Sequence, residues 1–348
     1  MLGSRLGLGL APGQAEPPAR PPAAGTPAPP TRVVIVHDAE ATEAFKPNAE
    51  RVRHMVEQGI LKLTGRATVA AAWASLVSPK DVVGIKVCSA PGPDSGTRPA
   101  VVAAIVEGLL AAKIPARQIV VWDRQRADLR RAGFLELAER YGIRMEGSAN
   151  TGFDEGTSYW PERPILGQLV YGDVEFGRKG DGVGRRSFVT KLLTHDITRL
   201  INVTPMLNHN TAGVNGHLYS LAFGSVDNVI RFENDLFRLN TAVPEIYALQ
   251  ALGDRVVLNV TDGLICQYQG EQLSLLHYAR PLNELRFSKD PVALDLLSLR
   301  ELERARAAAG VASTNSTTLT NQLELLHNAS LLDLGTSDLE AIQIERVP

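Results

Sequence analysis

Short apolar runs rich in β-branched residues, each followed by a stretch with helical periodicity, constrain this chain more than any other feature. Val33-Val-Ile-Val36 reads as a buried strand, and Val82–Cys88, Gln118–Trp122, Arg199–Val203 and Arg255–Val260 repeat the pattern. Strands covered on both faces lose polar alternation and read as unbroken apolar runs. Between them, Asn48–Leu63 sets Val52, Met55, Val56, Ile60 and Leu63 close to one helical face. Further helices are expected at about Pro99–Ala112, Asp128–Tyr141, 240–252 and after Pro291. This rhythm predicts an α/β fold with a mixed, largely parallel sheet and helices on both faces. Residues 145–190, richer in glycine, aromatic and charged side chains, are expected to form a small antiparallel insertion.

Composition narrows the function classes. Of 348 residues, 44% are hydrophobic and 21% charged, and the formal net charge is −2. That balance offers no basic footprint for nucleic acid and no polybasic run for an anionic membrane. No apolar run reaches the roughly 18 residues of a membrane span, so no transmembrane segment is expected. Two cysteines, Cys88 and Cys266, are too few for a disulfide framework, a four-cysteine zinc site or a cysteine-ligated iron–sulfur cluster. Residues 1–31 hold 8 of the 21 prolines and read as a disordered, partly extended segment, with 32–348 as a single domain. Arg5 ahead of the short apolar run Leu6–Ala11 reads as the remnant of an export signal or as a disordered cytoplasmic tail.

Four stretches carry candidate chemistry. Ser89–Thr97 joins a strand to a helix, with Gly92 and Gly96 freeing the backbone and Thr97 at the helix start, where N–H groups favour an anion. It lacks a P-loop or dinucleotide fingerprint. Lys86, inside an apolar strand, needs a partner or a route to solvent. The block Asn202–His217 gathers Asn202, Thr204, Asn208, His209, Asn210, Thr211, Asn215 and His217, a dense set of neutral hydrogen-bonding groups beside two imidazoles. Read as a loop after a strand, it positions a polar ligand while His209 moves a proton. Asn228, Arg231 and Glu233 follow as an anion-binding arm. Gly177–Arg186 reads as a basic glycine turn. Finally, Asp262 at a strand end suits a general base or a turn, Asp290-Pro291 reads as a helix cap, and Asp295 one turn later could pair with Lys86. No zinc-helix spacing links the histidines, so no metal ligand is assigned.

These same stretches carry a resemblance. Lys86 in Val-Gly-Ile-Lys-Val, Gly96-Thr97-Arg98-Pro99 and Val121-Trp-Asp123 look like the first half of the domain of unknown function 362 family. Ile201–Gly224 is similar to its central motif, with His209 at the family histidine and Gly213-Val214 in the turn. Asp262-Gly263 and Asp290–Asp295 resemble its closing signature, so the resemblance spans 32–348. Two departures stand out. The ferredoxin-like cysteine cluster of many members is missing, so no iron–sulfur role transfers. Asn208 stands where a Lys or Asp often precedes the histidine, and Tyr219-Ser220 stands where the family has Lys-Asn. The resemblance implies a bacterial protein, and twin-arginine export of many members favours a periplasmic or exported location over a cytoplasmic one. A loose similarity of fold to nickel-dependent lactate racemases leaves a divalent metal open as cofactor.

Two functions follow. One is an enzyme using acid–base chemistry on a small polar or anionic substrate. His209 would carry the proton, Lys86 and Arg231 would stabilise charge, Asp262 would serve as base, and Gly96, Thr97, Asp123, Asn208, Thr211, Asn215, Asn228 and Asp295 would line the cleft. The other is a non-catalytic ligand- or partner-binding protein of the cell envelope using the same cleft. Oligomeric state is not legible from the sequence.

Overall fold

The apolar runs become neighbouring strands of one sheet. A computed structural model describes residues 30–163, 165–177 and 183–348. The expectations for the proline-rich N-terminal segment, and the centre of the Gly177–Arg186 run, lie outside the described residues. The compact unit Thr31–Pro348 is built on eight strands: β1 (Thr31–His37), β2 (Val83–Val87), β3 (Ile119–Asp123), β4 (Arg144–Gly147), β5 (Arg199–His209), β6 (Val256–Gln267), β7 (Ala279–Ser288) and β8 (Ile342–Val347). Their spatial order is β8-β1-β7-β6-β5-β2-β3-β4, and a ninth short strand, Gly213–Val214, folds back on the end of β5. Only β7 runs antiparallel to its neighbours in that order. The expected mixed, largely parallel α/β sheet is therefore present.

Helices cover both faces because the strands are apolar on both. Ile85, Val121, Val203 and Val260 pack under α1 (Ala49–Thr64), α2 (Pro99–Ala111) and α3 (Phe134–Tyr141). Val120, Trp122 and Leu200 pack on the opposite face, under α4 (His217–Ser225), α5 (Leu236–Tyr247), α6 (Pro291–Ala308) and α7 (Ser316–Leu331). The ends obey local rules. Asn48 accepts from Glu50 and Arg51 N–H to open α1, and Asp290 accepts from Ala293 N–H at 2.8 Å, with Pro291 at the first position of α6.

Three boundaries differ from the sequence reading. The helix expected at 128–141 is broken: Arg126–Arg131 ends, Gly133 turns the chain at φ +88, and α3 begins afresh. The helix expected at 240–252 starts earlier, where Asp235 caps the Phe237 and Arg238 N–H groups. β5 continues past Val203 to His209, accommodating Pro205 at a register shift against β6, so the block 204–209 is strand rather than loop. The insertion holds two small antiparallel pairs, Phe153–Tyr159 with Ser187–Thr190 and Gly167–Gln168 with Val183–Gly184, whereas Arg144–Gly147 belongs to the main sheet as its parallel edge. Among the described residues no helix is long and apolar enough to cross a membrane.

Candidate functional site

Sheet order decides where a ligand crevice forms. From β2 the chain moves outward to β3 and β4, whereas from β5 it moves the opposite way to β6 and β7. The loops leaving the carboxyl ends of β2 and β5 therefore diverge, and such a switch point is the usual ligand crevice of an open α/β sheet. Alternation along β2 sends Ile85 and Val87 toward the α1–α2 face and Lys86 toward α4.

Lys86 is 1% exposed. Its Nζ donates to the Val87 carbonyl at 2.7 Å, to Asp123 Oδ1 at 2.8 Å and to Ser220 Oγ at 3.1 Å, which spends all three protons. Asp123 Oδ2 accepts from the Ser89 N–H at 2.7 Å and hydroxyl at 2.6 Å. Burial alone would push the Asp123 carboxyl up, but Lys86 and Ser89 outweigh it and hold the group below the usual carboxylate range. The network needs Gly224, because a Cβ there would overlap the Lys86 side chain.

Other expected site residues are committed to structure. Asp262 is fully buried; it forms a 3.0 Å ion pair with Arg98 and accepts the Arg98 N–H at 2.9 Å. A carboxylate so held is no free general base, which corrects that expectation. Asp295 does not pair with Lys86. It accepts the N–H groups of His217 at 2.7 Å and Leu218 at 2.9 Å, capping α4 from α6, and burial raises its carboxyl to about 7. Thr97 bridges β2 and β5 by accepting from Cys88 N–H and donating to the Val203 carbonyl, so it lines no cleft. Gly96 has no room for a Cβ between the Cys88 and Gly92 carbonyls. Arg231 and Asn228 lie under the insertion rather than in the crevice. Arg231 donates to Ser187 Oγ and to the Ile165 and Arg185 carbonyls, and Asn228 to the Arg186 carbonyl.

Unspent groups remain at several places, Asn202 Oδ1 and His217 Nδ1 among them, and two donors lie near the end of β5. His209 Nδ1 accepts the N–H groups of Thr211 at 3.2 Å and Ala212 at 3.0 Å, which fixes the ring proton on Nε2. Burial pulls its pKa down to about 4, so the ring is neutral at pH 7, and Nε2 has no hydrogen-bond partner among the described residues. The Tyr219 ring lies 4.2 Å from that of His209, Phe223 stacks on Tyr219 at 5.3 Å, and Arg124 sits 5.0 Å from the Phe223 ring. The Tyr219 hydroxyl is buried and unpartnered. Burial and then the charge of Glu233 hold it well above its ordinary pKa, while Arg124 opposes them. Burial also raises the Glu233 carboxyl. Asn215 Nδ2 donates to Cys88 Sγ at 3.3 Å, and burial with Asp123 pushes that thiol up to about 12, so it is no nucleophile at neutral pH. Asn208 closes the base of the hairpin, accepting the Glu271 N–H. Cys88 and Cys266 are both free and buried.

The structure thus joins Lys86 with Asp123, and Cys88 with Asn215, at the switch point. It takes Arg231, Asn228, Asp262 and Asp295 into separate networks. Sequence reasoning missed Arg124 and Glu271 as neighbours of the site and gave Ser89, Tyr219 and Ser220 no role of their own. Tyr219-Ser220 did carry a signal, as the pair standing where the resemblance expects Lys-Asn. Cavities of about 410 to 770 Å3 open elsewhere on the surface, and Lys86, Asp123, His209 and Asp262 line none of these. Among the described residues no three His, Cys, Asp or Glu groups converge as a metal site requires.

A solved structure similar to this chain is the crystal structure of a Thermotoga maritima protein from the Northeast Structural Genomics Consortium, with a TM-score of 0.42 and 12% identity over 78% of this chain. The chain spans 61% of the length of that structure. No family model and no curated protein matches.

Proposed function

We propose that the crevice at the carboxyl ends of β2 and β5 binds a small polar or anionic substrate and performs acid–base chemistry on it, in a member of the domain of unknown function 362 family. The observation that carries this reading is the pair of unspent donors, His209 Nε2 and the Tyr219 hydroxyl, on rings 4.2 Å apart beside the Lys86–Asp123–Ser220 network, whose Lys86 and Asp123 groups are paired. A neutral imidazole locked by two backbone N–H groups donates through Nε2 to a substrate oxygen, and the phenol supplies a second donor as charge develops there. Glu233, whose charge acts on the phenol and whose proton affinity is raised by burial, is assigned as the proton acceptor. Lys86 acts at one remove, holding Asp123 and Ser220 and so positioning α4.

His209→Gln and Tyr219→Phe test this. A thermal-shift panel of small carboxylates and phosphate esters first identifies a ligand for the full chain. An enzyme retains most affinity in His209→Gln while turnover falls about 10²–10³-fold. Equal loss of binding in both variants, with no turnover in the parent, makes the protein a ligand-binding module of the same crevice. A ligand that stabilises the parent and both variants alike removes the crevice from the proposal. Tyr219→Phe has its own signature: without ligand it is neutral or stabilising by up to about 1 kcal/mol, because it deletes a buried unpaired hydroxyl.

A further inference from the structure

We propose that Glu271, on the connection between β6 and β7, is a positioning residue that fixes the tautomer and orientation of the His209 ring. The inference rests on the reading of His209 as a donor of the crevice. Two observations single Glu271 out. Its backbone lies in the left-handed region at φ +51, which asparagine and aspartate enter more readily than glutamate. Its carboxylate accepts the Asn210 N–H at 2.6 Å, immediately after His209 in the chain. A strained backbone persists where the surrounding bonds over-determine it. Here the Glu271 N–H donates to Asn208 Oδ1 at 3.0 Å, and the Glu271 carbonyl accepts from Gln267 Nε2 at 3.2 Å. Gln267 is buried at the end of β6, where its Oε1 accepts from the Ser95 hydroxyl at 2.5 Å and the Leu275 N–H at 3.2 Å.

Glu271 thereby brackets His209, holding Asn208 before it and Asn210 after it. Asn208 Nδ2 also donates to Asn210 Oδ1 at 3.3 Å, and Gln322 Nε2, from α7, donates to the Asn210 carbonyl at 3.0 Å. That carbonyl shares a peptide plane with the Thr211 N–H, so holding one aims the other. The turn is thus clamped from β6–β7 and from α7 in the arrangement that points the Thr211 and Ala212 N–H groups at His209 Nδ1. An imidazole by itself has no strong preference between its tautomers; the hydrogen bond at one nitrogen decides which form the other presents. By holding the turn, Glu271 keeps Nδ1 an acceptor and leaves the proton on Nε2, the atom offered to substrate. Its charge also opposes the effect of burial on the ring.

Two substitutions in the full chain separate this role from a merely structural one. Glu271→Asn suits the left-handed backbone and keeps both main-chain bonds, but its side chain is one methylene too short for the Asn210 N–H. Glu271→Gln keeps an oxygen of the same reach and removes the charge. The readouts are the ring 15N shifts of His209 at pH 7, assigned by their loss in His209→Gln, and the hydrogen exchange of the Asn210 and Thr211 amides. The parent and Glu271→Gln are expected to show Nδ1 unprotonated and Nε2 protonated. Glu271→Asn is expected to melt at or above the parent temperature, while its Nδ1 signal moves toward the protonated range and both amides exchange about tenfold or more faster. Parent-like shifts and exchange in Glu271→Asn overturn the proposal, as does a parent with Nδ1 protonated. A Glu271→Gln variant displaced as far as Glu271→Asn overturns it too, because the bond to Asn210 would then not be what holds the ring. Neither readout needs a ligand, so a crevice that binds nothing leaves this result unchanged and fails on its own test.

Discussion

Each proton of Lys86 ends on an acceptor, and the acceptors lie on three elements: β2 itself, β3 through Asp123 and α4 through Ser220. Removing one partner of such a buried pair leaves the other charge alone in a low-dielectric interior. Lys86→Met is therefore expected to destabilise the fold by about 3–5 kcal/mol, read from urea unfolding at pH 7. Lys86→Met/Asp123→Asn should recover part of that loss, since the amide still accepts from Ser89 and no charge is stranded. A Lys86→Met cost below about 1 kcal/mol would show that the pair does not hold these elements together. That Lys86 needs a partner is legible in Val-Gly-Ile-Lys-Val, because a charge inside an apolar strand must be compensated. Which acid provides it is not. Asp295 and Asp123 are both far away in sequence, and only the adjacency of β2 and β3 selects Asp123.

Helix α4 shows how an element can depend on residues outside itself. Gly216 opens it without a side-chain cap of its own; the carboxylate of Asp295, from α6, satisfies its first N–H groups. A Cβ at Gly216 would displace that carboxylate, and one at Gly224 would meet Lys86. Gly224→Ala gains about 0.8–1 kcal/mol of helix propensity. Lys86 cannot swing aside without breaking bonds to three acceptors, so the net effect is expected to be a loss of about 1–2 kcal/mol in thermal unfolding. In a Lys86→Met background the same substitution should cost less, since the two sites are in contact. The course of β5 was hidden for a related reason. Thr204-Pro205 reads as a strand end, and a proline is tolerated in this central strand because it sits at a register shift against β6.

At the scale of the whole molecule, two imidazoles and one carboxyl act on stability with opposite signs. Burial lowers His209 to about 4 and His217 to about 3 from an ordinary 6.5, so at these two sites the folded chain holds fewer protons than the unfolded one. Their stability contribution is lost as pH falls below 6.5 through those values. Asp295, raised by burial from 3.8 to about 7, contributes stability that is full below 3.8 and is lost as pH rises through 7. In urea midpoints measured between roughly pH 4 and 8, Asp295→Asn is expected to remove part of the decline toward neutral pH, and His217→Asn part of the decline toward acid. Identical pH profiles for parent and variants would show that these groups do not titrate with folding.

The layers of this protein follow from its residue pattern alone. Unbroken β-branched runs can be satisfied only by a sheet covered on both faces, and periodicity placed α1, with Asp290 as a cap placing the start of α6, to within a residue or two. It also placed polar chemistry near His209. Tertiary structure decided which of those groups are free. The order β6-β5-β2-β3 puts Asp123 against Lys86 and Arg98 against Asp262, while α6 brings Asp295 to the mouth of α4, and so four residues that the sequence presented as catalytic or binding candidates are consumed. His209 Nε2 and the Tyr219 hydroxyl are left as unspent donors. Hydrogen-bond capacity is local to a residue, but whether it is used depends on neighbours that only the folded chain brings together.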